Sequence, residues 1–268
     1  MSNLLSAELY KMKKDLNFRL MAALTVIFTL IQYGVNAITE VVLRRGGTVG
    51  EQADLLERLE DISILDMLHG MFANTNAIIF VTIFVCCFVI NDYSSGMVTN
   101  FVGKGYKRME VFLAKFFVVQ FGAVLLYLLV AMETLVIGII FHGTAELGAA
   151  FFHDFVSYLA LHILYLTAYT AVIILVCTIA RNMAVGILIS ILGIMLFSNF
   201  IPQGIELILS YFGVEAGVSQ YWIVTIIASC PVRDIPSRFL ISSGIATVFW
   251  LMVSMAAGLF WFEKRDIR

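Results

Sequence analysis

Apolar residues fall in six long runs, residues 20–38, 71–90, 111–141, 155–180, 183–200 and 239–262, with more polar connections between them. About 20 apolar residues cross the hydrocarbon core of a bilayer at a helical rise of about 1.5 Å per residue. The third and fourth runs exceed that length, so they tilt, protrude or begin in the interface. In lipid, backbone polar groups are satisfied only within helices or closed barrels, and these runs lack the alternation of barrel strands. The pattern predicts an all-α membrane protein with six transmembrane helices, organised as a single membrane domain over residues 1–268.

The connections carry patterns of their own. Residues 1–17 interleave Leu4, Leu5, Leu9, Met12 and Leu16 with Lys11, Lys13 and Lys14. This spacing gives one greasy and one basic face, and predicts an N-terminal interfacial helix along an anionic leaflet. A flank of snorkelling lysines is the plainer alternative. In the loop at 39–70, Leu55, Leu56, Leu59, Ile62 and Leu65 recur at helical spacing and predict a short amphipathic helix. Residues 201–238 hold Leu207, Ile208, Leu209, Trp222, Ile223, Val224, Ile226 and Ile227. They are too apolar for a solvated linker and too interrupted for a seventh span, so a re-entrant or interfacial helical segment is expected before the last span.

Composition places the chain among membrane proteins. Apolar residues make up 61% and charged residues 13%, against about 25% charged in a soluble domain. The net charge of -2 conceals a segregation. Lys11, Lys13, Lys14, Arg19, Lys104, Lys107, Arg108, Lys115, Arg181, Lys264, Arg265 and Arg268 fall at one set of alternate connections. Arg44, Arg45, Arg58, Arg233 and Arg238 fall at the other, where the first loop is also rich in Asp and Glu. The positive-inside rule then puts both termini in the cytoplasm, in accord with an even number of spans. The first apolar run is too long for a signal-peptide core and its basic flank contains Glu8 and Asp15, so an uncleaved first span is expected. Cys86, Cys87, Cys177 and Cys230 lack metal or redox spacing and read as free thiols.

Few residues offer chemistry. The connection at 91–108 is polar and punctuated by Gly96, Gly103 and Gly105. It reads as a short helix between two breakers or as a plain positive-inside loop. Glu133 lies deep in the third run, where an unpaired carboxylate costs about 2.5–3.5 kcal/mol on insertion scales. It is either a substrate-path residue or a hydrogen-bonded helix contact, with His162 of the fourth run as a candidate neighbour. Asn74, Asn76 and Gln120 read as interhelical hydrogen-bonding groups. No G-x-x-x-x-G-K-[ST] phosphate loop, H-E-x-x-H or G-x-S-x-G motif occurs, and the four histidines are scattered. No dedicated metal site and no enzymatic centre is expected.

The pattern Asp92-Tyr93-x-x-Gly96-x-x-x-Asn100, then Gly105-x-x-Arg108, then Leu113-x-Lys115, resembles the signature that ABC transporter type-2 permeases carry between their second and third spans. The interfacial N-terminal helix, the six runs, the apolar last loop and the charged tail are similar as well, so the resemblance covers nearly the whole chain. It is closest in kind to the small permeases of bacitracin and lantibiotic self-protection systems. Met97 and Thr99 depart from the threonine and basic residue common at those positions. The resemblance implies a bacterial plasma-membrane permease subunit whose 91–108 segment is a cytoplasmic coupling helix, with Asp92, Tyr93, Gly96, Asn100, Gly105 and Arg108 as contact or shaping residues. It implies a separate ABC ATPase partner that holds ATP and Mg, no cofactor on this chain, and a second permease subunit, identical or related. Export of an amphipathic substrate, with an antimicrobial peptide foremost and lipid or a small drug as alternatives, follows by the same analogy. Membrane lipid is the remaining partner, and nucleic acid is not one. A non-transporting scaffold or sensor using the same connection is the rival reading.

Overall fold

The computed structural model describes residues 2–45, 62–73, 76–144, 146–196, 200–214 and 217–264. Among these, every regular element is helical. The chain runs α1 (Ser2–Lys14), α2 (Leu16–Arg45), α3 (Ile64–Ala73), α4 (Asn76–Ser94), α5 (Met97–Gly103), α6 (Arg108–His142), α7 (Ala149–Ala180), α8 (Met183–Met195), α9 (Ile201–Tyr211), a single 3-10 turn (Ser219–Tyr221), α10 (Ile223–Ser229) and α11 (Ser237–Lys264). Of the amphipathic helix expected over Leu55, Leu56, Leu59, Ile62 and Leu65, the first three lie outside the described residues, while Ile62 precedes α3 and Leu65 is buried within it.

Local chemistry sets the boundaries. Asp15 separates α1 from α2 and caps the latter, its carboxylate accepting the Asn17 N–H at 2.7 Å. At α3, Ser63 Oγ accepts the Asp66 N–H at 3.1 Å while Asp66 accepts the Ser63 N–H at 3.1 Å. This reciprocal cap satisfies two first-turn donors. Gly96 (φ 69°) and Gly105 (φ 88°) bracket α5 in the left-handed region that residues with a Cβ avoid. Asn182 caps α8 through the Val185 N–H at 3.2 Å.

Among the described residues, five helices are long and apolar enough to cross a membrane: α2, α4, α6, α7 and α11. The run at 71–90 is divided, its first residues belonging to α3 and its membrane-length part to α4. The run at 183–200 supplies α8, a helix of 13 residues, or about 20 Å at the α-helical rise. That is short of the roughly 30 Å hydrocarbon core. The central members are α4 and α7, with 67% and 56% of their apolar windows buried, whereas α2 is peripheral at 17%. α4 packs on α2, α6, α7 and α8, and α11 lies along α7. Gly122 of α6 lets the Phe84 ring approach to where a Cβ would sit 2.6 Å from it, so α4 and α6 meet closely.

The two ends of the bundle differ. At one end gather α1, the α4–α6 connection, Arg181 and the last turn of α11. Phe262 packs edge-on to Tyr93 at 6.3 Å and against Phe112 at 5.8 Å. At the opposite end, Ile64 N–H donates to Glu146 Oε2 at 3.1 Å and Arg233 donates to Ser63 Oγ at 3.0 Å; midway along α11, Trp250 Nε1 donates to the Tyr221 carbonyl at 2.9 Å. The N-terminal helix and the end of α11 therefore share a face. The stretch from Arg181 to Ser237 makes a net passage from that face to the other. α8 starts the passage antiparallel to α4: its Gly186 lies against Ile90 and its Ser190 against Cys86.

Candidate functional site

Four charged side chains converge at the base of the α4–α6 connection. α1 places Leu4, Glu8 and Met12 on one face, four residues apart, and all three are buried. Asp92 comes from the last turn of α4 and Lys115 from the second turn of α6. Asp92 ion-pairs through one oxygen with Lys11 and through the other with Lys115. Lys115 Nζ lies 3.7 Å from Glu8 Oε1. Beneath them the Phe88 ring lies 4.5 Å from Lys11 Nζ and 5.6 Å from Lys115 Nζ, an arrangement in which the ring face attracts both cations. Asp92 is fully buried, Glu8 is 1% exposed and Lys115 4%.

Two acids thus face two bases in a site sheltered from water. Burial pushes the Glu8 carboxyl above its usual range, opposed by the Lys11 charge. Burial pushes the Lys11 ammonium down, opposed first by Glu8 and then by Asp15. Mutual neutralisation is what makes such burial tolerable. The mechanical result is that α1, α4 and α6 are tied together at the point where the connection leaves the bundle.

The connection itself presents two faces. Val98 is buried, and Phe101 and Tyr106 pack edge to face at 6.2 Å against the core. Thr99, Asn100, Gly103, Lys104 and Gly105 are exposed. The six residues singled out in the sequence therefore have different surroundings. Asp92 sits in the charge cluster. Tyr93 donates to Thr178 Oγ1 at 3.4 Å, with the Arg181 guanidinium 5.3 Å above its ring. Arg108 donates to the Glu263 carbonyl at 2.7 Å, at the C-terminal turn of α11, where a cation is favoured by the helix dipole. Gly96 and Gly105 shape the ends of α5, and Asn100 faces outward.

Glu133 and His162 are held apart, with no lining residue in common. Glu133 lines a groove of about 300 Å³ between α2 and α6 with Val26, Leu30, Met132, Val136 and Ile137. His162 is fully buried in an aromatic box, its ring centroid 4.3 Å from Tyr158, 5.0 Å from Phe72 and 6.2 Å from Tyr165. Among the described residues neither of its nitrogens meets a hydrogen-bond partner, and the Tyr127 hydroxyl is likewise without one. His69 instead takes the Tyr158 hydroxyl, at 3.0 Å. Gln120 accepts from Thr170 at 2.6 Å, joining α6 to α7 as an interhelical contact.

Glu8, Lys11 and Lys115 complete a site of which the sequence marked only Asp92 as a contact residue. The visible signal was an acid on the apolar face of α1, in step with Leu4 and Met12. Among the described residues no group of three or more His, Cys, Asp or Glu side chains is placed to hold a metal ion. What the arrangement does is hold position: the residues on either side of α5 are tied by ion pairs to α1, α4 and α6. Comparison of the chain with protein-family models, with curated proteins and with solved structures gives no match.

Proposed function

We propose that this chain is the membrane-spanning permease subunit of an ATP-driven exporter, and that α5 is the element its ATPase partner grips. The observation that carries this reading is the charge cluster, which anchors a short two-faced helix to α1, α4 and α6. A solvated loop serving only as a connection has no need of four buried charges at its root, because burying them is costly unless each is matched. The resemblance of the 92–115 pattern to type-2 permeases points the same way.

In this reading the basic end of the bundle is cytoplasmic, as the positive-inside rule requires. The sixth crossing is assigned to the apolar run that α8 begins, which accounts for both described ends of the chain on one face with five long helices among the described residues. α9 then lies in the outer interface and α10 returns into the protein as the re-entrant part of the 201–238 segment. ATP is bound and hydrolysed by the partner, and closure of two ATPase subunits pushes α5 of each of two permease subunits. The substrate is an amphipathic molecule, with a membrane-active peptide the leading case.

The test is capture of the tagged chain from its native membrane in mild detergent. A phosphate-loop ATPase is expected in the wild-type complex, and Asn100→Trp, which enlarges the outward face of α5, should reduce its recovery at least about tenfold while leaving the permease folded. Recovery of a different class of cytoplasmic protein favours the scaffold or sensor reading. For the cargo, equal sensitivity of cells with and without the gene to a panel of membrane-active peptides would exclude a peptide substrate and leave lipid or a small drug.

A further inference from the structure

The charges inside this bundle follow a rule with one departure. At the base of the α4–α6 connection, Glu8 and Asp92 are matched by Lys11 and Lys115. Glu133 has no cation among the described residues, and the polar group set against it is the Thr29 hydroxyl of α2. A carboxylate inside a membrane protein is expensive to hold without a positive partner, so the missing member of the pair is the informative feature.

The position of Glu133 decides what can supply that member. It lies 25 residues along α6 from Arg108, about 37 Å up a helix about 52 Å long. Its neighbour Thr134 faces the Tyr33 hydroxyl at 3.4 Å, and that hydroxyl donates to the Met67 carbonyl at 3.1 Å. Glu133 is therefore in the half of the bundle next to α3, far from the basic end. The groove it lines has an exposed rim formed by Leu30, Met132 and Val136. One wall is α2, the span with the smallest buried share, so that wall is the easiest to part from its neighbour. The remaining lining is alkyl. A water-borne cation has no reason to enter such a groove. A cation carried on an alkyl chain that already resides in the leaflet does, because the chain fills the groove while the head meets the carboxylate.

We propose that the Glu133 groove is a lateral binding site for a lipid-soluble monocation, an alkylammonium or the ammonium-bearing apolar stretch of an amphipath. The alkyl part lies along Val26, Leu30 and Val136, and the positive group pairs with Glu133 beside Thr29. Its volume of about 300 Å³ is at the lower end for small-molecule clefts, which suits one chain rather than a folded peptide. As a cargo site this rests on the exporter reading, but binding itself does not depend on it.

The experiment uses the full chain in phosphatidylcholine nanodiscs without nucleotide, with spin-labelled dodecylamine as probe and spin-labelled dodecanol as its neutral counterpart. Saturable amine binding is expected, weakened at least about tenfold in Glu133→Gln. Val136→Trp, which fills the groove and keeps the charge, should abolish it. Thermal unfolding of both variants should match the wild type, which separates lost binding from lost structure. Dodecanol should bind weakly and equally to wild type and Glu133→Gln. Equal amine affinity in wild type and Glu133→Gln, or dodecanol as tight as the amine, overturns the proposal. Because no ATPase enters the measurement, that failure is distinct from a failure to capture a phosphate-loop partner.

Discussion

Asp92 stands between two lysine ammonium groups, and its charge is the one the cluster can least lose. Replacing it by Asn leaves Lys11 and Lys115 facing Glu8 alone, a buried net positive charge. Removing one partner from a buried ion pair costs about 3–5 kcal/mol. Asp92→Asn should therefore lower the unfolding free energy by that amount in detergent titrations. Deleting both members with an apolar pair, Asp92→Leu with Lys115→Met, should recover most of the loss and leave Lys11 beside Glu8. Glu8 differs in sign. Burial raises its folded-state pKa, so the folded chain holds that proton more tightly than the unfolded chain. Its stabilising contribution is present at low pH and lost as pH rises through the raised value. Glu8→Gln should thus gain stability relative to wild type as the medium goes from mildly acidic to mildly alkaline. A wild type that gains on the variant over that range contradicts the assignment of burial as the dominant cause.

As the proposed grip for an ATPase, α5 needs a fixed orientation, and its seven residues cannot set it by themselves. The left-handed glycines on either side aim it, and Val98 and Phe101 seat it. Gly96→Ala and Gly105→Ala force a Cβ into a region that costs about 1–2 kcal/mol for L-residues. Each should lower stability by about that much and reduce ATPase recovery, whereas Gly103→Ala, within the helix, should do neither. Glycine spacing and the polar composition marked this connection in the sequence. What spacing left open was which residues turn inward. Lys11, Asp92 and Lys115 come from three helices, and a pairing across about 80 residues leaves no periodic trace. The apolar face of α1 was legible, and Glu8 on it was the one local conflict that hinted at a buried partner.

Across the whole molecule, the apolar runs at 20–38, 111–141, 155–180 and 239–262 each lie within one helix, because continuous apolar stretches of that length have few alternatives in lipid. The runs at 71–90 and 183–200 were legible as membrane-embedded but not as helices of their observed length. Apolarity marks burial in lipid or protein alike, and α3 and α8 bury part of their surface against α4, α6 and α7. The gathering of α1, Arg108 and Glu263 on one face supplies what counting runs could not, an independent statement that the two described ends of the chain lie together.

That geometry makes one labelling measurement decisive. The native cysteines are all buried, so a single cysteine at Asn100 on the outward face of α5 reports the side of the membrane and the occupancy of that face. A membrane-impermeant maleimide should leave intact cells unlabelled at this position and modify inside-out vesicles, more slowly with the proposed ATPase partner bound than after peripheral proteins are stripped away. Modification in intact cells would place α5 outside and contradict the coupling account.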